Sequence, residues 1–308
     1  MATAQHAITD PEYEATPTKR RARRTKVAIK ALEDALVAIV KEHAPLTCRH
    51  VFYLAMAVAL ITKSEKEYKY TIGRLLLRLR REGRISYRDI ADESRWVRRV
   101  ETSRGARQAL KACARFYRRD LLHDQRLHLE LWVEKAALVG VIEDVCDEFA
   151  VPLYPTSGFA SETFIYEAAL EIAHAIKEDG HRAVIYTLGD HDPSGMHITR
   201  DLERRLRRLV EEVSNERLDF EVRRLALTPE QVRRYRLPTR PTKREKNNHA
   251  KRFRFARSVE LDALPPETLR GIVRDAIERE IDPQRLARTK RVEAAERETL
   301  ERVLGGLQ

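Results

Sequence analysis

Three acidic residues near the middle of the chain have the types and spacing that metal-dependent phosphate chemistry requires. Glu134 follows the apolar run LHLELWV, and Asp190 and Asp192 follow the apolar run AVIYTLG. The DxD spacing places both aspartate side chains on the same side of an extended backbone. Carboxylate oxygens are the ligands that Mg²⁺ prefers, and Mn²⁺ accepts the same oxygens. The three residues therefore predict a site that holds Mg²⁺ or Mn²⁺ beside a phosphate.

The residues around this triad leave other interpretations open. The simplest alternative is an acidic loop that caps the following helix, because Pro193 suits the first turn of a helix. His191 and His197 are interpreted as phosphate contacts or helix-surface residues rather than as metal ligands. Lys135 is expected to contact a DNA phosphate, and its alternative is an exposed lysine at a helix start.

A tyrosine and an arginine in an earlier segment offer a second kind of chemistry. A phenol has a pKa of about 10, so it needs a nearby cation or base before it can act as a nucleophile. Arg49 precedes Tyr53 by four residues, which puts both side chains on one face of a helix. The pair predicts a catalytic tyrosine with its activating charge. The alternative is a core aromatic, since Tyr53 lies in the apolar stretch VFYLAMAVAL.

The composition favours nucleic acid as the partner. The formal net charge is +11, from 59 Lys and Arg against 48 Asp and Glu. Such a balance is typical of proteins that bind a polyanion, although a charge-rich solvated surface would also produce it. With 308 residues, of which 43% are hydrophobic, the chain is long enough for two domains with buried cores.

Cysteine usage and hydropathy bear on the cellular compartment. Cys48, Cys113 and Cys146 are far apart, which argues against a zinc ribbon or a disulfide framework and favours a reducing compartment. The sequence shows neither a membrane-spanning apolar run nor a signal-peptide core. We therefore expect a soluble cytoplasmic protein, associated with the nucleoid, that has no membrane partner.

The elements that must position the tyrosine come first in the chain. Residues 1–24 are predicted to be a disordered basic arm, and residues 25–122 a winged-helix DNA-binding domain. Helical spacing predicts helices over 26–43, 48–60 and 65–82, with Thr47 as a cap and Gly83 as a stop. A short strand and a wing are expected over 84–95, followed by a connecting helix over 103–122.

The third of these helices carries the predicted DNA contacts. It is rich in arginine, as a helix in the major groove would be. The residues expected to contact DNA are Arg74, Arg78, Arg81, Tyr87 of the wing, and Lys135.

The acidic triad falls in a second unit, residues 123–308, where strands and helices alternate. Strands are predicted over 127–133, 151–155, 183–189 and 219–226, with helices over 136–149, 161–178 and 194–213. Residues 228–257 are interpreted as a basic loop, and the tail as helical from Pro266 onward. This alternation predicts an α/β fold with a mostly parallel sheet flanked by helices. Ligands bind at the carboxyl ends of such strands, where all three acids should meet.

These motifs together resemble a known family. The order strand-Glu-Lys, helix, strand, helix, strand-GDHDPSG resembles a TOPRIM domain, the metal-binding module of topoisomerases and primases. The segment CRHVFY resembles the Arg-x-x-(Phe/Tyr)-Tyr motif of the topoisomerase VI A subunit and of the related meiotic double-strand-break transesterase. The segments 225–238 and 259–264 also look like the C-terminal region of that family. The resemblance spans about residues 26–285, and the chain looks like a compact, stand-alone version of the A subunit.

The resemblance implies a type IIB topoisomerase-like activity. Tyr53 would attack the DNA backbone and form a 5′-phosphotyrosyl link, while Glu134, Asp190 and Asp192 would hold Mg²⁺. The tyrosine and the acids would come from different protomers of a homodimer, so that two composite sites cut both strands. The sequence contains no ATPase module, and a separate ATPase B-type subunit is left open. His50 departs from the family pattern, which commonly has an acidic residue there.

Three other functions remain open at this stage. A hydrolytic TOPRIM nuclease would use the acids and leave the tyrosine idle. A DNA-binding protein of a mobile element would use only the basic surface. Primase activity is the least favoured, because a winged helix with Arg49 and Tyr53 has no role in it.

Overall fold

A computed structural model describes residues 24–91, 102–242, 253 and 255–306. The predicted basic arm, apart from Arg24, and residues 92–95 of the predicted strand and wing lie outside the described residues. Within the described ranges, no helix has both the length and the apolar character needed to cross a membrane.

The three predicted N-terminal helices are present, but the second ends at Ala57 rather than at residue 60, and the third is α-helical only from Gly73. Helices α1, α2 and α3 span Lys26–His43, Cys48–Ala57 and Gly73–Arg81. Thr25 and Thr47 cap α1 and α2 by accepting backbone N–H groups through their side chains. A π-helical stretch leads into α3, and Gly83 follows it with a left-handed φ of 69°, a conformation that glycine adopts without strain.

The strand predicted after α3 is reduced to a single bridge in the described residues. Ser86 and Asp89 form a reciprocal capping pair, which turns the backbone into a short 3-10 helix over Tyr87–Asp89. Ile90 then makes one parallel bridge to Leu46. The prediction of a strand here was wrong up to residue 91, because the local side-chain bonds favour a turn over an extended strand.

The second unit is an α/β structure with a four-stranded parallel sheet, as predicted. Strands β1, β2, β3 and β4 span Leu127–Val133, Leu153–Pro155, Arg182–Leu188 and Glu221–Ala226. Their order in the sheet is β2-β1-β3-β4, and all three pairings are parallel. The helices before and between them, α4 to α7, span Ala106–Phe116, Val139–Phe149, Glu162–Lys177 and Pro193–Ser214.

Each face of the sheet is covered by helices. Trp132 and Ile185 lie in a core with residues of α6 and α7. Leu131 and Tyr186 lie in the other core, with residues of α5 and of a later helix, α9 (Pro266–Glu280). The second core also contains residues of α1, α2 and α3. The N-terminal helices and the sheet therefore share one apolar interior.

The predicted basic loop at 228–257 contains more structure than its composition indicated. Helix α8 spans Pro229–Arg234, and two short antiparallel strands, β5 and β6, span Arg240–Pro241 and Arg257–Ser258. Thr228 and Gln231 form a capping box at the start of α8, a signal that the sequence TPEQ already carries. Helix α10, Pro283–Gly306, completes the predicted helical tail.

Candidate active site

The strand order places the acidic residues at the point where the sheet connections change direction. From β1 the chain crosses to β2 on one side, and β3 then lies on the other side of β1. Glu134 directly follows β1, and Asp190 lies two residues after β3. The Glu134 Oε2 accepts the Asp190 backbone N–H at 3.1 Å. Such a switch point at the carboxyl ends of parallel strands is where open α/β sheets bind ligands. We call Glu134, Asp190 and Asp192 the acidic edge.

The two aspartates of the acidic edge are held by different donors. The Asp190 Oδ1 accepts the Leu261 backbone N–H at 2.8 Å and lies 2.9 Å from the Lys135 Nζ. Asp192 caps α7 by accepting the Gly195 N–H at 2.8 Å. Its Oδ2 lies 3.5 Å from an Arg240 nitrogen. The capping role considered for this loop is therefore present at Asp192, alongside its place on the acidic edge.

The donor chemistry of the acidic edge fits a divalent cation, but the side chains do not form a ligand set as they stand. Among the described residues, no three His, Cys, Asp or Glu side chains are grouped to hold a metal ion. The reason is that protein donors engage each carboxylate of the edge. Each carboxylate nevertheless has a second oxygen, and three acids meet at one sheet edge. A metal would require rotation of these side chains and displacement of the Lys135 ammonium from Asp190.

Burial and mutual repulsion give Glu134 an unusual proton affinity. Burial raises the pKa of Glu134 to about 7, and the neighbouring Asp190 charge adds to this rise. Burial also raises the pKa of Asp190, although Lys135 opposes the shift. A carboxylate deprived of water is stabilised by binding a proton or a cation, so the burial of the acidic edge favours a cation there.

Replacing Glu134 by glutamine is expected to remove a pH-dependent loss of stability. A raised carboxyl pKa stabilises the fold below the unfolded value of about 4.5, and this contribution is lost as pH rises through about 7. Glutamine keeps an acceptor for the Asp190 N–H and carries no charge. In EDTA, Glu134→Gln should exceed the wild type by about 2 kcal/mol in unfolding free energy at pH 8 and match it at pH 4.5. Urea titrations at both pH values measure this, and a variant that is less stable at pH 8 would contradict it.

The loop that carries the aspartates is packed too tightly for a side chain at one position. A Cβ on Gly195 would overlap the Asp190 carbonyl oxygen and come within 3.0 Å of the Glu134 Oε2. Glycine is needed here because backbone atoms, which cannot move aside, occupy the space. The first turn of α7 therefore lies directly against the acidic edge.

Arg224 of β4 holds this loop, and it was not among the site residues predicted from the sequence. Its Nη2 donates to the carbonyl oxygens of Gly189 and Asp190 at 2.8 and 2.6 Å. Its Nη1 donates to the Thr199 hydroxyl at 2.6 Å and to the Gly195 carbonyl at 3.2 Å. Burial lowers the pKa of Arg224, while the three acids of the edge favour its charge. Arg224 thus positions the loop and partly balances its charge.

His191 is a buried residue, contrary to the expectation of a phosphate contact or helix-surface position. Its side chain is 3% exposed, and its ring packs against Phe253 and Phe255 with centroid distances of 5.3 and 4.8 Å. Its backbone N–H donates to the Val259 carbonyl, and its carbonyl accepts the Val259 N–H. The side chains of a DxD segment alternate, so when both aspartates face the edge the middle residue faces the core.

Lys135 and Asp262 connect the acidic edge to the N-terminal helices. The Lys135 Nζ lies 2.9 Å from Asp190 and donates to the Asp262 Oδ2 at 2.7 Å. The Thr47 hydroxyl, at the cap of α2, donates to the Asp262 Oδ1 at 3.0 Å. Although burial opposes it, the Lys135 charge holds the pKa of Asp262 below its usual value. Lys135 is thus engaged by two carboxylates, and its predicted contact with DNA stays a prediction.

Removal of the Asp262 carboxylate is expected to destabilise the whole chain. Asp262→Ala would remove one of the two carboxylates that hold the buried Lys135 ammonium, and also the acceptor of the Thr47 hydroxyl, at a cost of about 3 kcal/mol. Asp275→Ala, an exposed acid on α9, is the matched control and should change stability by less than about 0.5 kcal/mol. Urea unfolding followed by circular dichroism measures both. Equal stability of the two variants would show that the link carries no energy.

Tyr53 lies on α2 beside a cavity and makes no side-chain hydrogen bond with a described residue. The residue is 7% exposed and lines a cavity of about 350 Å³ together with His50, Pro238 and Asp262. Burial raises the pKa of Tyr53, the Glu260 charge raises it further, and the Arg49 charge lowers it. The acidic edge does not line this cavity. Most of the Tyr53 ring is therefore packed as a core aromatic, and one side of the ring faces the cavity.

Arg49 is placed between an acid and an aromatic ring. Its Nε lies 3.2 Å from a Glu260 oxygen, and its guanidinium lies 4.4 Å from the Tyr68 ring centroid. Its charge acts on both Tyr53 and Tyr68. The structure thus brings Arg49 and Tyr53 into one electrostatic cluster, as predicted from their spacing, and adds Glu260 to it.

The predicted DNA contacts on and after α3 are exposed. Arg74 and Arg81 are exposed on α3, and Tyr87 is 60% exposed beside the Arg80 guanidinium. Arg78 is exposed but forms an ion pair with Glu33 of α1. These residues present a basic surface with one aromatic ring.

Comparisons with protein-family models, with curated proteins and with solved structures found no match to this chain.

Proposed function

We propose that this protein cleaves double-stranded DNA by tyrosine transesterification at a site that uses Mg²⁺ or Mn²⁺. The observation that carries the proposal is the meeting of two features. Three carboxylates lie at the switch point of a parallel sheet, and the tyrosine-bearing helix is bonded to that edge through Asp262 and Lys135. The motif resemblance to the topoisomerase VI A subunit supports the same chemistry.

Residues of this chain can supply the nucleophile, the base and the positive charge that a transesterification requires. The Tyr53 Oη attacks a backbone phosphorus, a phosphotyrosyl bond forms, and the bond from phosphorus to the 3′-oxygen breaks. Glu260, whose charge acts most strongly on Tyr53, would accept the phenol proton and pass it to water, and the leaving 3′-oxygen would take one proton from water to become a hydroxyl. Arg49 offsets negative charge at the phenolate and the phosphate. The bond energy is conserved, so the 3′-hydroxyl can reverse the step and reseal the strand.

Glu134, Asp190 and Asp192 would hold the cation at the acidic edge. A bound divalent cation would neutralise charge on the scissile phosphate and stabilise the leaving oxygen. Holding it requires Lys135 to leave Asp190 and remain with Asp262, which keeps its ammonium near the substrate phosphate.

We further propose a winged-helix and TOPRIM organisation acting as a homodimer. The exposed arginines of α3 would face DNA, as in winged-helix proteins. Tyr53 lines a cavity that no residue of the acidic edge lines. In the homodimer, the acidic edge of a second protomer would face this tyrosine, as the family resemblance implies, while the link through Asp262 and Lys135 would hold the tyrosine-bearing helix in place on its own chain.

A plasmid assay tests the proposal. Purified protein is incubated with supercoiled plasmid and Mg²⁺ or Mn²⁺, then with denaturant, and the sample is divided for treatment with or without protease. Linear DNA that enters the gel only after proteolysis is the expected result, because the ends carry covalently bound protein. Intact plasmid under every condition, together with DNA binding, would instead indicate a non-catalytic DNA-binding protein.

One observation favours a hydrolytic nuclease as the second candidate. Tyr53 is largely buried and its pKa is raised, both of which disfavour a phenolate nucleophile. In that case water attacks at the acidic edge and Tyr53 has a packing role. Linear or nicked DNA that enters the gel without proteolysis would support this alternative.

A further inference from the structure

A second cavity lies at the opposite end of the sheet from the acidic edge. Its volume is about 770 Å³, and it opens where β1 and β3 begin. It lies between the turn at 123–126, the end of the α6–β3 connection and the first turns of α10. We call it the basic cleft. The lining residues that matter here are Arg126, Arg285, Arg288, His123, His181 and Asp124.

The walls of the basic cleft are held by hydrogen bonds between distant segments. Gln125 and Asp282 exchange two bonds, from the Gln125 side-chain amide to the Asp282 carbonyl and from the Asp282 N–H to the Gln125 Oε1. Asp124 accepts the Thr289 hydroxyl at 2.9 Å, and its carbonyl accepts an Arg285 Nη1 at 3.2 Å. These bonds fix α10 against the turn before β1, so the cleft is preformed.

The lining of the basic cleft holds four arginines against two aspartates, Asp124 and Asp179. Arg126 and Arg288 form no ion pair or side-chain hydrogen bond within the part of the chain that the structure describes. The Asp124 carboxylate accepts the Thr289 hydroxyl. The rings of His123 and His181 meet edge to face at 5.5 Å and add ring nitrogens to the lining. Guanidinium groups without partners in a cleft select anions, and phosphate oxygens best match their fork of donors.

The backbone around Arg126 fixes the position of this residue at the cleft. Arg126 ends the 3-10 turn over His123–Gln125 with a left-handed φ of 52°, a conformation common where a helical turn ends. It lies immediately before β1, and its carbonyl accepts the Arg182 N–H at the start of β3.

We propose that the basic cleft binds a small polyphosphate. Guanidinium groups on two separate elements, Arg126 before β1 and Arg288 on α10, match a ligand with several phosphates better than a ligand with one. The volume is that of a small-molecule site, which favours a compact ligand over a DNA duplex. This site is independent of the proposed DNA cleavage, because it lies at the amino ends of the strands.

Isothermal titration calorimetry with inorganic tripolyphosphate, in 150 mM NaCl without divalent cations, tests the proposal. We expect the wild type to bind one tripolyphosphate, and Arg126→Ala and Arg288→Ala each to weaken binding about tenfold or more, which corresponds to about 1.4 kcal/mol. Arg291→Ala is the matched control: it lies on α10, is exposed and does not line the cleft. It should bind as the wild type does. Melting temperatures verify that all variants are folded.

Four results would overturn the proposal. The first is the absence of tripolyphosphate binding to the wild type. The second is equal affinity of the Arg126, Arg288 and Arg291 variants, which would indicate nonspecific charge attraction. The third is weakened binding of a DNA duplex in the Arg126 and Arg288 variants with unchanged tripolyphosphate affinity, which would make the cleft part of a DNA surface. Tighter binding of citrate than of tripolyphosphate would likewise reject the phosphate assignment.

Discussion

Tyr53→Phe is expected to abolish the covalent protein–DNA adduct while leaving the fold intact. The substitution removes only the phenol hydroxyl group, which makes no hydrogen bond with a described residue. The packing of the ring is therefore preserved. Loss of the nucleophile removes the route to the adduct, and the rate should fall by about 10³-fold or more. Electrophoresis of plasmid after denaturation, with and without protease, measures the adduct.

Tyr68→Phe provides the matched control for this prediction. Tyr68 packs in the same aromatic cluster, 5.6 Å from the Phe52 ring, and its ring lies under the Arg49 guanidinium. Phenylalanine at this position keeps both ring contacts. Adduct formation should therefore stay within about twofold of the wild type. An adduct that persists in Tyr53→Phe and disappears in Tyr68→Phe would transfer the nucleophile assignment to Tyr68.

Asp192→Asn is expected to reduce metal-dependent cleavage by about 100-fold or more without weakening the start of α7. Asparagine caps a helix as well as aspartate does, so the bond from the Gly195 N–H is retained while the charge is lost. Removal of a group that merely supports a metal ligand already costs about 10- to 100-fold, and a direct ligand should cost at least as much. Cleavage rates across a Mg²⁺ titration measure the effect, and the loss should be smaller at high Mg²⁺.

The control for Asp192 is an acid of equal charge placed away from the acidic edge. Asp219, exposed before β4, serves this purpose, and Asp219→Asn should cleave as the wild type does. If both variants lose activity equally, the effect reflects net charge rather than a metal site. If neither does, Asp192 is a helix cap alone.

The position of the acidic edge was predictable from the sequence because it depends on local rules. Apolar runs marked β1 and β3, and parallel strands bring their carboxyl ends together, so Glu134 and Asp190 had to lie close. The spacing of Arg49 and Tyr53 likewise required only helical periodicity. The caps Thr47 and Gly83 also depend on neighbouring residues alone.

The partners of these residues were not predictable, because they come from distant segments. Lys135 was expected at a phosphate, but its ammonium lies between Asp190 and Asp262, and Asp262 is 127 residues away along the chain. The residues around Arg224 carry no local signal that its guanidinium would donate to the carbonyls of Gly189, Asp190 and Gly195. Which side chain fills a buried position is decided by tertiary packing, and no pattern within a single window encodes it.

The bond between Thr47 and Asp262 sets an order in time for the assembly of the site. The two residues are 215 positions apart, so during synthesis α2 emerges from the ribosome long before its partner does. Contacts of such separation form late, because the chain between them must first be made and folded. The helix that carries Tyr53 therefore lacks this bond to the acidic edge of its own chain through most of translation. Only a chain that is almost complete can hold the parts of the proposed site in their final places.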